Sequence, residues 1–153
     1  MEVFRITHKK WSGKLTASGL PARWNSSGIR IIYSAGSRAL ACLENVVHRG
    51  SSDLRVPFIT MTISVPDDLI IQELSIRELP EEWNKSGEPA YLKCRPFGDK
   101  WKRDAVSAIL KVPSAIVPGD SNYLLNPDHP DFQQISILSE KPFFFDERIK
   151  KGP

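Results

Sequence analysis

Cysteine is scarce in this 153-residue chain. Cys42 and Cys94 stand far apart and form no CxxC pair, so neither a disulfide framework nor a zinc site is indicated. Two buried, reduced thiols are the expectation. Histidine is almost as rare: His8, His48 and His129 are scattered without HExxH spacing, and no metal is expected. The glycines form neither GxGxxG nor GxxxxGK[ST], which leaves out a Rossmann fingerprint and a P-loop. No apolar run approaches the ~18 residues that a membrane-crossing helix needs, and internal repeats are missing too. The opening "MEVFRITHKKW" is charged and strand-like rather than a secretion signal. A cytoplasmic protein with no membrane partner is therefore expected.

Charge of one sign is also lacking. With 21 Lys and Arg against 18 Asp and Glu, the formal charge is only +3, and the densest basic spots are short, at Lys9–Lys10, Lys100–Arg103 and Lys150–Lys151. That balance suits an anionic small molecule or an acidic partner. Direct nucleic-acid binding is not expected, because no basic helix or RNP-like aromatic strand is present. What the chain does have is an ordinary globular composition, 41% hydrophobic and 25% charged. Its length fits one domain, residues 1–153, with a real core.

Alternation of apolar and polar residues predicts strands at 2–8, 57–66 and 105–113; 29–34, apolar on both faces, predicts a short, well-buried strand, and 68–75 and 135–146 read as further strands. The stretch 57–66 is the clearest, with Ile59, Met61, Ile63 and Val65 on one face and Thr60, Thr62 and Ser64 on the other. Between the first two strands, residues 11–28 are rich in Gly, Ser and Pro and form a long loop, a length that in compact domains often serves function. Ser34 or Ser37 can cap a helix running to about His48, in which Leu40, Leu43 and Val47 fall at helical spacing. Further helices are expected near "LPEEW" (79–83) and over 90–102, and 113–130 reads as turns around a short extended piece. The fold class is a mixed α+β domain dominated by strands.

Glu44 is the most informative position. It follows Leu40 by four residues and precedes Val47 by three, which puts a carboxylate on the apolar stripe. Such a group needs a partner, because an unpaired buried charge is expensive. Arg23, Arg30 and His48 are candidates for an ion pair; the alternative is a carboxylate at the floor of a cleft, placed to stabilise developing positive charge. Arg23 offers a planar fork of donors suited to phosphate or carboxylate. Beside it, Trp24 can stack on a ring or wedge the loop, Asn25 can hold a turn, and Gly28 permits close backbone approach. Tyr33 shares a strand face with Ile31, and its phenol needs a partner if buried. Ser114 follows a predicted strand without a GxSxG elbow, so a hydrolase nucleophile is not expected there.

Taken together, "FRI", "RWNSSGIRIIYSAGSRALACLENVVH" and "VPSAIVPGDSNYLLNPDHPDF" resemble the RES domain, named for its Arg, Glu and Ser, over nearly the whole chain. The resemblance implies a fold similar to ADP-ribosyltransferase toxins. It also implies the toxin half of a bacterial type II toxin–antitoxin pair, blocked by an Xre-like helix-turn-helix antitoxin in a hetero-oligomer. NAD+ would be the substrate, with no other cofactor. Its nicotinamide–ribose bond would be cleaved by hydrolysis or by inorganic phosphate, or the ADP-ribosyl group passed to a protein. A non-catalytic binding module is the reading from a different class. Arg23, Tyr33, Glu44 and Ser114 are the implied active-site set, with Arg5, Trp24 and Asn25 as further substrate-binding candidates. One departure stands out: many members have glycine before the Arg-Trp-Asn, whereas Pro21 and Ala22 stand here.

These residue types suit that chemistry. Breaking the nicotinamide–ribose bond passes through an oxocarbenium-like state, as glycoside hydrolysis does. Nicotinamide leaves as a neutral group from a cationic precursor, so one carboxylate is enough to stabilise the ribosyl cation. An arginine such as Arg23 would hold a phosphate of the pyrophosphate, Tyr33 would stack on the nicotinamide, and Ser114 would bond the ribose or carboxamide.

Overall fold

The computed structural model describes residues 1–149. Seven strands form one sheet among them: β1 (Glu2–His8), β2 (Ile32–Ala35), β3 (Phe58–Ser64), β4 (Ile71–Glu73), β5 (Ile109–Pro113), β6 (Ser121–Leu125) and β7 (Ser136–Phe143). Their spatial order is β4-β5-β6-β2-β1-β3-β7, and every pairing is antiparallel except β4 with β5. Two helices, α1 (Arg38–His48) and α2 (Glu88–Asp104), complete the frame. The mixed, strand-rich class expected from the sequence is what forms. None of the described helices is long and apolar enough to cross a membrane.

Register decides which side chains meet. Phe4 pairs with Ala35 and Thr62, and Ala35 pairs with Asn122, so these four share one sheet face. Tyr33 and its partner Leu124 lie two residues along on the same face. Both helices cover that face. From α1, Leu40 and Ala41 pack with Phe4, Ile6, Ala35 and Phe58. Cys94 and Trp101, seven apart on α2, pack with Trp24, Ile31, Leu110, Val112 and Leu124. The other face carries Val3, Ile32, Met61, Ile63, Ile109 and Leu125, roofed by residues outside the sheet such as Leu15, Leu69 and Phe132. Covered on both sides, β3 is buried almost throughout, Thr60 and Thr62 included, and its β-branched residues suit such a strand.

Several boundaries move for physical reasons. The strand expected at 29–34 is Ile32–Ala35, because the chain before it is still tied into the preceding loop, with Ile29 N donating to Ser26 O. Ser37, not Ser34, caps α1 by accepting from Leu40 N, while the Ser34 hydroxyl donates to Tyr123 O across the sheet. The strand at 68–75 shrinks to three residues. "LPEEW" forms turns rather than a helix, and the short helical turn lies just before it at Ile76–Glu78, closed by a capping box between Ser75 and Glu78. The strand at 105–113 begins only at Ile109 because α2 runs to Asp104 and ends on Ala105 in the left-handed region, φ 48°. The short extended piece within 113–130 proves to be β6, an interior strand between β2 and β5.

Helix α1 is also rolled relative to the expected stripe. Leu40 is buried, but Leu43 and Val47 are 41% and 52% exposed. Polar residues take the sheet side instead: the Asn45 amide donates to Ile6 O at 3.0 Å and to Ala41 O at 2.9 Å, fastening the helix to β1. Asn45 therefore does what a third apolar anchor would otherwise do.

Candidate functional site

Glu44 sits on α1 facing β6, its side chain 26% exposed. Asn122 Nδ2 donates to Oε1 at 2.6 Å, and His48 Nε2 lies 3.3 Å from Oε2 one helical turn on. Of the three ion-pair partners considered, His48 is the one in contact. Arg30 pairs instead with Asp128 at 2.7 Å, beside a cavity of roughly 430 Å³ whose lining includes Asp99, Lys102 and Arg103. The turn from β2 into α1 lies against β6 through Gly36, whose N–H donates to Ser121 O at 3.0 Å. A Cβ on Gly36 would meet that oxygen at 3.1 Å, so glycine lets the turn come this close.

Ser114 belongs to the same end of the sheet. It follows β5 directly, its N–H donates to Asp120 O, and its Oγ accepts from Ile116 N at 3.1 Å and Val117 N at 3.0 Å. Val117 packs into the α1 cluster. The Ser114 hydroxyl is therefore a turn cap, with its hydrogen left to donate.

The Arg-Trp-Asn loop is engaged elsewhere. Arg23 Nη2 donates to Lys85 O at 3.0 Å, Nη1 donates to Trp83 O, and the guanidinium lies 4.5 Å from the centroid of the Tyr91 ring. Trp24 and Asn25 are each 2% exposed. The Asn25 amide donates to Leu20 O, Ser26 O and Ile29 O, and its Oδ1 accepts from the Tyr33 phenol at 2.7 Å. That phenol also accepts from Trp24 N at 3.1 Å. Burial pushes the Tyr33 phenol well above its ordinary range. Tyr33, Trp24 and Asn25 thus interlock as a core unit, and no bond joins Arg23 to Glu44 among the described residues.

Helix α2 grips this loop, which the sequence pattern did not foreshadow. Arg95 Nε donates to Ala22 O at 2.9 Å while its fork holds Glu88, and Asp99 accepts from Ser26 N and Ser26 Oγ. Cys94 is buried and Cys42 partly so, and burial raises both thiols. No group of three or more His, Cys, Asp or Glu able to hold a metal gathers among the described residues.

Arg5 is placed differently again. It alternates with Phe4 on β1 and so points from the face opposite Tyr33 and Glu44. Strand β1 pairs with β2 at one position, Phe4 with Ala35, but with β3 along all seven residues, so β1 and β2 diverge beyond that point. Arg5 Nη1 reaches over this gap to Tyr33 O at 3.5 Å. Burial, and then repulsion from Arg49, lower its guanidinium to about 10. Its charge meets a carbonyl rather than a carboxylate.

The seven-stranded mixed sheet with both helices on one face has a counterpart among solved structures. One chain of the Mycobacterium tuberculosis MbcT–MbcA toxin–antitoxin complex matches it with a TM-score of 0.77 over 94% of this chain and 84% of that one. At 17% identity this likeness speaks for the fold alone. Residues 2–146 match the RES domain, and the chain belongs to that family. It is 40% identical over 129 residues to the Prs ADP-ribosylating toxin of Sphingobium sp. (strain YBL2), covering 83% of this chain and 79% of that protein. To the Toxin Res of Photorhabdus laumondii it is 35% identical over 99% of both.

Proposed function

We propose that this protein is an NAD+-consuming toxin that cleaves the nicotinamide–ribose bond and is held inactive by an antitoxin. The observation that carries this reading is the state of Glu44. Its carboxylate is oriented by a neutral amide and a histidine, with no lysine or arginine against it among the described residues. Its negative charge is left available for an oxocarbenium-like ribosyl group. Ser114, at the same end of the sheet, can donate to a ribose or carboxamide oxygen. Arg5 is the second support: its guanidinium rises from the opposite face into the gap between β1 and β2, and a packed cation there, with no carboxylate against it among the described residues, is suited to a pyrophosphate. Arg23 in this reading acts through the loop, clamping the 83–85 segment, and Tyr33 supports the same loop from beneath. NAD+ enters as substrate, and no further cofactor is needed.

The names of the relatives, an ADP-ribosylating toxin and a Toxin Res, favour the same substrate and a toxin's role. An antitoxin partner of Xre-like helix-turn-helix type follows from the family resemblance, and the complex in which the similar fold occurs supports an antitoxin in general. A second reading, ADP-ribosyl transfer to a protein, is favoured by the name of the 40%-identical relative. Product analysis separates the possibilities. Labelled NAD+ incubated with the full chain should give free ADP-ribose, or phosphorylated ADP-ribose when phosphate is added. Label appearing on protein when a bacterial lysate is added as acceptor would favour transfer, and intact NAD+ with and without phosphate and lysate would sink both readings.

Arg5→Met offers a further check. The substitution removes a charged group held in a desolvated place and should raise, or leave unchanged, the thermal midpoint of the ligand-free protein. NAD+ affinity should fall about 10- to 100-fold, the equivalent of one lost charge-assisted contact. Calorimetry and thermal denaturation measure both. A lower midpoint with unchanged NAD+ affinity would make Arg5 a structural residue only.

A further inference from the structure

We propose that Asn122 is the positioning residue of Glu44, an assignment that rests on the NAD+-cleaving reading for its catalytic meaning. Asn122 lies on β6 between two strands, paired with Ala35 of β2 on one side and with Val112 of β5 on the other. Its backbone is fixed from both sides, and its side chain shares the helix-covered face with Tyr33 and Ala35. From there Nδ2 reaches Glu44 Oε1 at 2.6 Å. The other partner of the carboxylate, His48, is half-exposed and belongs to the same helix, so it moves with Glu44. Asn122 is the contact that ties the carboxylate to the sheet.

The orientation of the amide supports this role. Turning it over would set Oδ1 against a carboxylate oxygen, acceptor against acceptor, so Nδ2 must face Glu44. In that orientation Oδ1 is buried without a hydrogen-bond partner, and it is the one described side-chain atom in that condition. Folded proteins seldom leave a buried acceptor unpaired, and such exceptions concentrate where function imposes an arrangement that stability does not favour. Here the amide gives up one bond and keeps the other on Glu44. A leucine at this inward strand position would bury as much surface without the unpaired atom; it would also leave the carboxylate unheld.

Three variants and two readouts test the assignment. In Asn122→Ala, kcat for NAD+ should fall about 100-fold, the size expected for a misplaced reacting group, with KM little changed. A crystal structure of the same variant should show the Glu44 carboxylate swung away from β6, because the contact that ties it to the sheet is gone. Asn122→Ser, which keeps a donor, should recover some of both. If Asn122→Ala keeps wild-type kcat and an unmoved Glu44 carboxylate, the assignment is overturned. The functional reading fails separately: it does so if Glu44→Gln keeps full turnover, and the Glu44 position in Asn122→Ala then still decides whether Asn122 holds the carboxylate. Should Asn122→Ala not fold, Asn122→Ser with both readouts at wild-type values would count for the assignment, and loss of turnover with the carboxylate unmoved would count against it.

Discussion

Glu44→Gln is expected to lower NAD+ turnover by about 100- to 1000-fold, the range seen when one preorganised electrostatic group is removed from a transition state. The change is nearly isosteric. The glutamine carbonyl can still accept from Asn122 Nδ2, so the 2.6 Å contact and the seat of α1 on the sheet both survive. What disappears is the charge. Because Leu40, Ala41 and the Asn45 anchor carry the packing of α1, the thermal midpoint should barely move. NAD+ should still bind, since the pyrophosphate is assigned to Arg5 rather than to Glu44. A rate assay for NAD+ loss and calorimetry for binding check the two halves. Turnover within tenfold of wild type would remove Glu44 from the chemistry, and lost binding with unfolding would make it a structural carboxylate. In cells, the same variant should relieve the growth arrest that a working toxin causes without its antitoxin.

Much of the frame was legible in the sequence because its signals are local. Alternation over 2–8 and 57–66 found β1 and β3, and the serine before α1 found its start. The places where reading failed are those where a polar residue replaces an apolar one at a packed position. The stripe Leu40–Leu43–Val47 looked like the inner face of α1, yet Asn45, bonded to Ile6 O, turns the helix so that Leu43 and Val47 face outward. Asn122 was hidden for a similar reason. Prolines and glycines on both sides made 113–130 look like turns, so the alternation of Asn122 with Leu124 was given no face, and the partner of Glu44 went unseen. Glu44 itself was legible as a carboxylate needing a partner, with His48 among the candidates. Arg23 was expected beside Glu44 as one of three ion-pair candidates and, by the family resemblance, as a member of the same site. Distance along the chain does not report where a long side chain turns, and Arg23 turns to the carbonyls of Trp83 and Lys85. Neither could the alternation at Phe4–Arg5 show on which face Arg5 would lie, because that depends on how β1 pairs with β2.

Gly98→Ala is expected to have the largest effect on stability, and the reason lies in how α2 meets the Arg-Trp-Asn loop. A Cβ built on Gly98 would overlap the carbonyl oxygen of Trp24 and lie 2.9 Å from its carbonyl carbon. Those are backbone atoms, which cannot rotate away as a side chain can. The loop has little freedom to retreat: Ala22 O is held by Arg95, Ser26 by Asp99, and Trp24 N by the Tyr33 phenol. Helix α2 cannot easily withdraw either, because Cys94 and Trp101 on the same face are buried among Trp24, Leu110 and Leu124. One added methyl group must therefore force the packed helix and loop apart, at a cost of about 3 kcal/mol, the upper end for overpacking. For a chain of this size that corresponds to a fall of roughly 6–12 °C in Tm. Turnover should fall less than in Glu44→Gln, since Asn122 and Glu44 are held by α1 and β6, on the other side of Tyr33. Thermal denaturation of the purified variant measures the shift. A midpoint within about 2 °C of wild type, less than one kcal/mol on that scale, would mean that α2 and the loop slide apart freely, and that the grip of Arg95 and Asp99 contributes little to holding the loop beside the site.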